Sequence, residues 1–370
     1  MLSSPSPPAT VATALSRSDI LQWLAEERPE PLKLLFRTAD RIRREHVGDQ
    51  VHLRGLIEFS NRCSRSCGYC GLRVANRGME RYCMTPDEIL ASARLAVQFG
   101  YGSVVLQSGE DHAITRGWVT ALISRIRQET GLAITLSLGE RHRDDLAAWK
   151  EAGADRYLLR FETSNETLFN RIHPPLPGPS GSRMALLATL RGLGYEVGSG
   201  IMVGIPGQSF EDLANDIETF RTLDLDMIGI GPFLPHPATP LGTRSSPAAA
   251  AAGAQVPNTG LMTCKTLALA RMVCPDANIP STTALATLQP DSGREQGLLC
   301  GANVIMPNLT PHRYRRLYEI YPDKACCGEE PLLCQQQLQE LFRKIGRIPG
   351  SGRGDSPNLE RRRAAVQTAA

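Results

Sequence analysis

Leu56-Ile57-Glu58-Phe59 runs directly into Ser60-Asn61-Arg62-Cys63-Ser64-Arg65-Ser66-Cys67-Gly68-Tyr69-Cys70. The first four residues form an apolar run with a β-branched and an aromatic member, and read as the end of a strand. The loop behind it spaces three cysteines as C-x3-C-x2-C. Thiolates are the usual ligands of iron–sulfur clusters, and three of them on one short loop can hold three corners of a four-iron cubane. The fourth iron then lacks a protein ligand, and an open metal position separates a reactive site from a closed structural one. A zinc knuckle or a disulfide pair competes with this reading. Zinc, however, takes four ligands, often as paired C-x2-C units, and no fourth Cys or His follows at matching spacing. A disulfide needs an oxidising compartment.

Outward from this loop, short β-branched runs alternate with longer amphipathic stretches. The pattern predicts strands at His52–Phe59, Ser103–Gln107, Ala133–Leu138, Arg156–Phe161, Val197–Val203, Met227–Phe233, Asn278–Thr283 and Asn303–Pro307. Helices are predicted between them. The one from Pro86 has Thr85 as its cap and Glu88 three residues on, a capping box with proline in the first turn. Gly100, Gly131, Gly153 and Gly194 stand where helices should end. Two further helices, near Asp19–Glu27 and Pro31–Glu45, precede the first strand. Eight strand–helix units predict an α/β fold, a (β/α)8 TIM barrel with N-terminal helices and a C-terminal extension; an open doubly wound sheet is the alternative. Polar residues collect at the carboxyl ends of the predicted strands, where such barrels keep their active sites.

The chain has 370 residues, 42% of them hydrophobic, and no apolar run approaches the ~20 residues of a membrane span. Net charge is +3 with acids and bases mixed, which gives no case for nucleic-acid binding. Residues 18–348 are expected to form a single barrel domain. Residues 1–17 and 349–370 are expected to be disordered tails, with Arg361-Arg362-Arg363 solvated. The Ser-, Pro- and Ala-rich start fits a transit peptide or a bacterial tail; the tail is preferred, which implies a cytoplasmic protein, or one of an organellar stroma or matrix in a eukaryote. Leu241–Asn258, with its alanine run, is expected to be a surface insertion. Cys83, Cys264, Cys274 and Cys300 are expected to be plain buried thiols.

The C-x3-C-x2-C loop resembles the signature of the radical S-adenosylmethionine (SAM) superfamily. Longer passages are more specific: Leu106-Gln107-Ser108-Gly109-Glu110-Asp111, Thr135-Leu136-Ser137-Leu138-Gly139-Glu140, Met202-Val203-Gly204-Ile205-Pro206-Gly207-Gln208 and Gly229-Ile230-Gly231-Pro232-Phe233-Leu234-Pro235-His236-Pro237. These are similar to the HydE family, radical-SAM maturases of [FeFe]-hydrogenase, over about Val51 to Tyr321; biotin synthase and methylornithine synthase fit less well. The resemblance implies a radical-SAM barrel in which Cys63, Cys67 and Cys70 hold a [4Fe–4S] cluster and SAM is cleaved to a 5′-deoxyadenosyl radical. It places Tyr69 near the adenine, Ser108, Gly109 and Glu110 at the SAM amino group, Glu162 on the ribose hydroxyls and Arg183 on the SAM carboxylate. Thr135, Arg160, Thr282, Thr283 and Tyr314 are the implied substrate residues, and an arginine among hydroxyls suits a small anion. The implied substrate is an iron–carbonyl–cyanide–cysteine complex supplied by the maturase HydG, with later assembly on HydF and with an electron donor as a further partner.

The family's second cluster would need C-x7-C-x2-C near the C-terminus. Cys326 and Cys334 keep the first spacing, but Gln337 holds the third position, and adjacent Cys327 is an awkward substitute. No second cluster is therefore expected. Three other functions fit parts of the pattern: a radical mutase for another small anion, a sulfur-inserting enzyme, and an iron–sulfur electron carrier. Sulfur insertion of the biotin-synthase type needs a second inward cysteine set that is not evident. A carrier needs neither a barrel cavity nor SAM-binding residues.

Overall fold

The structure, a computed structural model, describes residues 15–176, 182–243, 255–325, 328 and 330–369. Eight strands occur among them: β1 Gln50–Ser60, β2 Ser103–Ser108, β3 Ala133–Ser137, β4 Arg156–Leu158, β5 Glu196–Val203, β6 Met227–Pro232, β7 Val304–Ile305 and β8 Ile348–Pro349. All named pairs are parallel, in the order β6-β5-β4-β3-β2-β1-β7. The ring closes between β6 and β7 through single bridges, Met227 to Asn278 and Pro280 to Val304. The Ile228 N–H donates to Asn278 O, and the Ser281 N–H to Val304 O. The predicted barrel is therefore present, with one correction. Asn278–Thr283 is not a strand but a stave held by those bridges. Pro280 has no N–H for a ladder, and the Thr282 hydroxyl caps a helix that starts at Thr283.

Alternation fixes what the barrel encloses. Arg54, Leu56 and Glu58 of β1, Val105 and Gln107 of β2, and Thr135 and Ser137 of β3 face one central cavity, while their neighbours Ile57, Phe59, Leu106 and Leu136 are buried under the surrounding helices. The capping box at Thr85 and Glu88 is formed, and helices begin at Pro86, Arg183, Phe210 and Gly260 as read from the sequence. Cys264, Cys274 and Cys300 are buried as expected, and Cys83 is half-buried.

The C-terminal extension departs from expectation. Residues 350–365, read as part of a disordered tail, pack across the amino ends of the strands. Strand β8 pairs with the start of β1, Gln50 to Ile348 and Val51 to Pro349. Beyond it the Arg156 guanidinium meets Arg353 O and the Asp355 carboxylate, the Ser356 N–H donates to Glu196 Oε1 at 2.9 Å, and Asn358 Nδ2 donates to Leu225 O at 3.0 Å. Two arginines of the supposedly solvated run are paired, Arg361 with Asp276 and Arg362 with Asp224 and Asp226. The composition is polar because this segment satisfies buried charges rather than because it is loose. At the other terminus Ser16 caps a helix from Arg17, so the first helix starts inside the span read as a tail. Residues 1–14, the alanine run and Cys326–Cys327 lie outside the described residues.

Candidate active site

Strand β1 delivers its chain to the cluster loop at the carboxyl end of the barrel. The loop is seated by β2: a Cβ on Gly109 would lie 2.3 Å from Arg62 O and 2.8 Å from Cys63 Cβ, so only glycine lets the two segments meet. The Ser64 N–H and hydroxyl both donate to Glu110 O. Between the first two cysteines, Arg65 is buried and donates from Nε to Glu110 Oε1 at 2.5 Å and from Nη2 to Glu140 Oε2 at 2.6 Å. The Glu110 carboxylate also accepts from the Glu140 N–H. Ser108 donates to Gly109 O. In this structure the Ser108-Gly109-Glu110 segment therefore holds the loop in place.

Cys63 and Cys70 are half-buried and Cys67 is buried. Burial pushes the Cys67 thiol up to about 12 and raises Cys63 and Cys70 as well. Positive charge from a metal centre is what holds such groups as thiolates. Among the described residues, no three His, Cys, Asp or Glu side chains converge as a single ion requires. A cluster instead gives each thiolate its own iron. The donor set fits a [4Fe–4S] cluster on these grounds.

Below the loop lies a cavity of about 280 Å³. Tyr69 and Cys70 are at its cluster end; Thr135, Arg160, Glu162, Thr282 and Thr283 are on its walls. Three of these carry buried polar atoms without a hydrogen-bond partner: Thr135 Oγ1, Arg160 Nε and Glu162 Oε2. The Arg160 and Glu162 side chains approach to 3.1 Å as an ion pair, but without the alignment of a hydrogen bond. Glu162 sits in the left-handed backbone region at φ 61°, which a non-glycine residue enters at a cost. Thr282 donates to Ile230 O and caps the following helix, so its hydroxyl is engaged. Tyr314 is not brought to the cavity; it stacks on Tyr82 and donates to Glu88 Oε1 at 2.9 Å.

Arg183 lines a neighbouring cavity of about 520 Å³ with Arg65, Glu140 and His173. Its Nε donates to Glu140 at 2.9 Å, and its guanidinium also meets Arg160 O and His173. Burial pushes Glu140 up, but His173, Arg183 and Arg65 hold it down at about 2.

Sequence reasoning missed several groups here. Glu58 on β1 is 2% exposed, and Lys324 donates to both its oxygens at 2.7 and 2.8 Å; Asn308 Nδ2 adds a third bond at 2.8 Å. A lone acid on the inward face of an apolar strand was the available signal. Lys324 carried none, because it arrives on the extension that crosses the barrel mouth. There the Gly71 N–H donates to Ile320 O, and a Cβ on Gly71 would lie 2.2 Å from Glu319 O.

The family model of the radical SAM superfamily matches residues 57–220, the half-barrel that carries this loop and these strand ends. The chain is 48% identical over 316 residues to the [FeFe] hydrogenase maturase subunit HydE of Thermotoga maritima, covering 85% of this chain and 86% of that protein. The chain belongs to the HydE family of radical-SAM enzymes. The crystal structure of methylornithine synthase shares its fold, with a TM-score of 0.75 at 24% identity over 92% of this chain and 95% of that one. The [FeFe]-hydrogenase maturase HydG from Carboxydothermus hydrogenoformans does so at 0.73 and 18%, over 91% of this chain and 76% of that one. As a HydE-family enzyme the chain calls for a [4Fe–4S] cluster and SAM. Among the described residues no helix is long and apolar enough to cross a membrane.

Proposed function

We propose that this enzyme acts on a small iron–carbonyl–cyanide–cysteine complex during assembly of the [FeFe]-hydrogenase active site, receiving it from HydG and passing its product toward HydF. The observation that carries the proposal is that Thr135, Arg160 and Glu162, which line the same cavity as Cys70, each have a buried polar atom without a hydrogen-bond partner. Bound together, the cluster and SAM supply a 5′-deoxyadenosyl radical. Glu162 would accept from two ribose hydroxyls, and Tyr69 would cover the adenine. Arg160, Thr135 and Thr283 offer donors to the substrate farther in. Charge supports an anionic guest. Lys324 is cancelled by Glu58, but Arg54, 4% exposed and lining the same cavity, has Gly354 O and Met227 Sδ as its partners rather than a carboxylate.

The test is an anaerobic assay of the reconstituted protein with SAM, dithionite and the synthetic iron–carbonyl–cyanide–cysteine complex, following 5′-deoxyadenosine and paramagnetic signals. The expected result is an adenosyl product whose formation depends on the complex. SAM cleavage indifferent to the complex would move the substrate to another small anion and overturn the maturase assignment.

A further inference from the structure

We propose that His173 is a positioning residue for the cluster: its ring donates an N–H to the sulfur of Cys67 and thereby raises the cluster's reduction potential. The inference rests on the reading of Cys63, Cys67 and Cys70 as cluster ligands.

The chemistry of the contact fixes which nitrogen carries the hydrogen. His173 Nδ1 lies 3.0 Å from Cys67 Sγ. Arg183 Nη2 lies 2.9 Å from the other ring nitrogen, Nε2, and 3.5 Å from Nδ1, a position over the ring face, and Glu140 Oε1 lies 3.6 Å from Nε2. A thiolate ligand carries no hydrogen, so with Cys67 bound to iron the contact is made by an Nδ1–H that donates to the sulfur. The ring cannot readily turn away. Phe169 stacks on it at 5.1 Å between centroids, the Arg183 guanidinium lies over that same Phe169 ring, and His173 itself is 4% exposed.

A donor aimed at a ligand sulfur stabilises the electron-richer form of the cluster, so hydrogen bonds to the sulfurs are a lever on potential. In a dry setting the bond is stronger than in water. Cys67 is the most deeply buried of the three ligands, and Cys63 and Cys70 have no such ring beside them among the described residues. The arrangement also ties the cluster to the SAM side of the site, because Arg183 lies against the His173 ring. No local signal marks His173, which lies outside the cysteine motif, just past the short helix Glu166–Ile172.

The full chain, reconstituted anaerobically, is titrated with dithionite against redox mediators while the reduced cluster is followed by electron paramagnetic resonance. His173→Phe is expected to shift the one-electron equilibrium about tenfold toward the oxidised cluster, ~59 mV. His173→Asn keeps an N–H near the Nδ1 position and is expected to recover most of that shift. An unchanged potential in a fully iron-loaded His173→Phe protein would overturn the proposal. If that variant fails to load iron, wild-type protein labelled with ¹⁵N-histidine decides. The reduced cluster should show a nitrogen hyperfine coupling that His173→Asn removes, and absence of that coupling in the wild type overturns the proposal equally. Iron analysis keeps the two layers apart, since wild-type protein that binds no four-iron cluster overturns the cluster reading itself.

Discussion

The two ends of the barrel use the same side chains in opposite ways. At the amino end Arg156 is wholly buried between Glu196, at 2.6 Å, and Asp355, and the Ser356 N–H takes the other Glu196 oxygen. At the carboxyl end Arg160 and Glu162 touch as an ion pair without a hydrogen bond between them, and each keeps a buried polar atom without a hydrogen-bond partner in the cavity wall. Buried charges that are paired on all sides hold a structure closed; buried charges left half-satisfied beside a cavity are set for a guest. The contrast is strong but incomplete, because Arg54 Nε and Arg156 Nη1 at the amino end are also unmatched.

The contrast can be broken most severely at the mouth. Changing Cys63, Cys67 and Cys70 together to Ala is expected to remove nearly all reconstitutable iron and all SAM cleavage, with the fold retained by circular dichroism. Stoichiometric residual iron would show that Cys326, Cys327 and Cys334 form a centre of their own. At the floor, Arg156→Ala should cost about 3–5 kcal/mol in urea unfolding, because Glu196 is left buried and unpaired, while the folded protein cleaves SAM at close to the wild-type rate. A loss of activity without a loss of stability would mean that the floor belongs to the site.

A subtler change separates the ends again. Glu162→Gly removes a carboxylate expected to bind ribose and also a residue held at φ 61°. SAM affinity should fall roughly 10–100-fold, the worth of a charged hydrogen bond. The melting temperature should stay level or rise, because glycine adopts that backbone freely. Anaerobic equilibrium binding and a thermal scan read the two halves of the prediction, and a marked fall in melting temperature would count Glu162 as a structural residue.

The smallest effect is expected behind Glu162. Burial raises Asp216 from 3.8 to about 7, against hydrogen bonds from Ser164 and Thr163. Between those two values the folded state binds a proton that the unfolded chain releases, so this group makes stability fall as pH rises from 3.8 to about 7. Asp216→Asn should flatten that slope in a series of urea titrations. An unaltered slope would show that the carboxyl is ionised throughout.

Much of this was legible because the signals were local. The strand runs, the Thr85 cap and the cysteine spacing each lie within a few residues of sequence, and the cap and every predicted strand but Asn278–Thr283 are formed in the structure. What escaped depended on distant partners. Glu58 and Lys324 find each other across the whole barrel, His173 reaches Cys67 from another loop, and Arg361 and Arg362 looked solvated because Asp276, Asp224 and Asp226 are far away in sequence. Tyr314 erred in the opposite direction: its place after the last strand suggested the cavity, but stacking on Tyr82 draws it outward. Thr282 looked like a ligand donor because a hydroxyl that caps a helix and one that faces a guest are identical in sequence.

The pairing of β8 with β1 has a consequence for the order of events in biosynthesis. The first barrel strand leaves the ribosome early and its floor partner late, with nearly the whole barrel made in between. Until Ile348–Asn358 emerges, Arg156 lacks its Asp355 partner and Glu196 lacks the Ser356 N–H. Once that segment docks, the vessel has a base at the end opposite the rim where the cysteines stand.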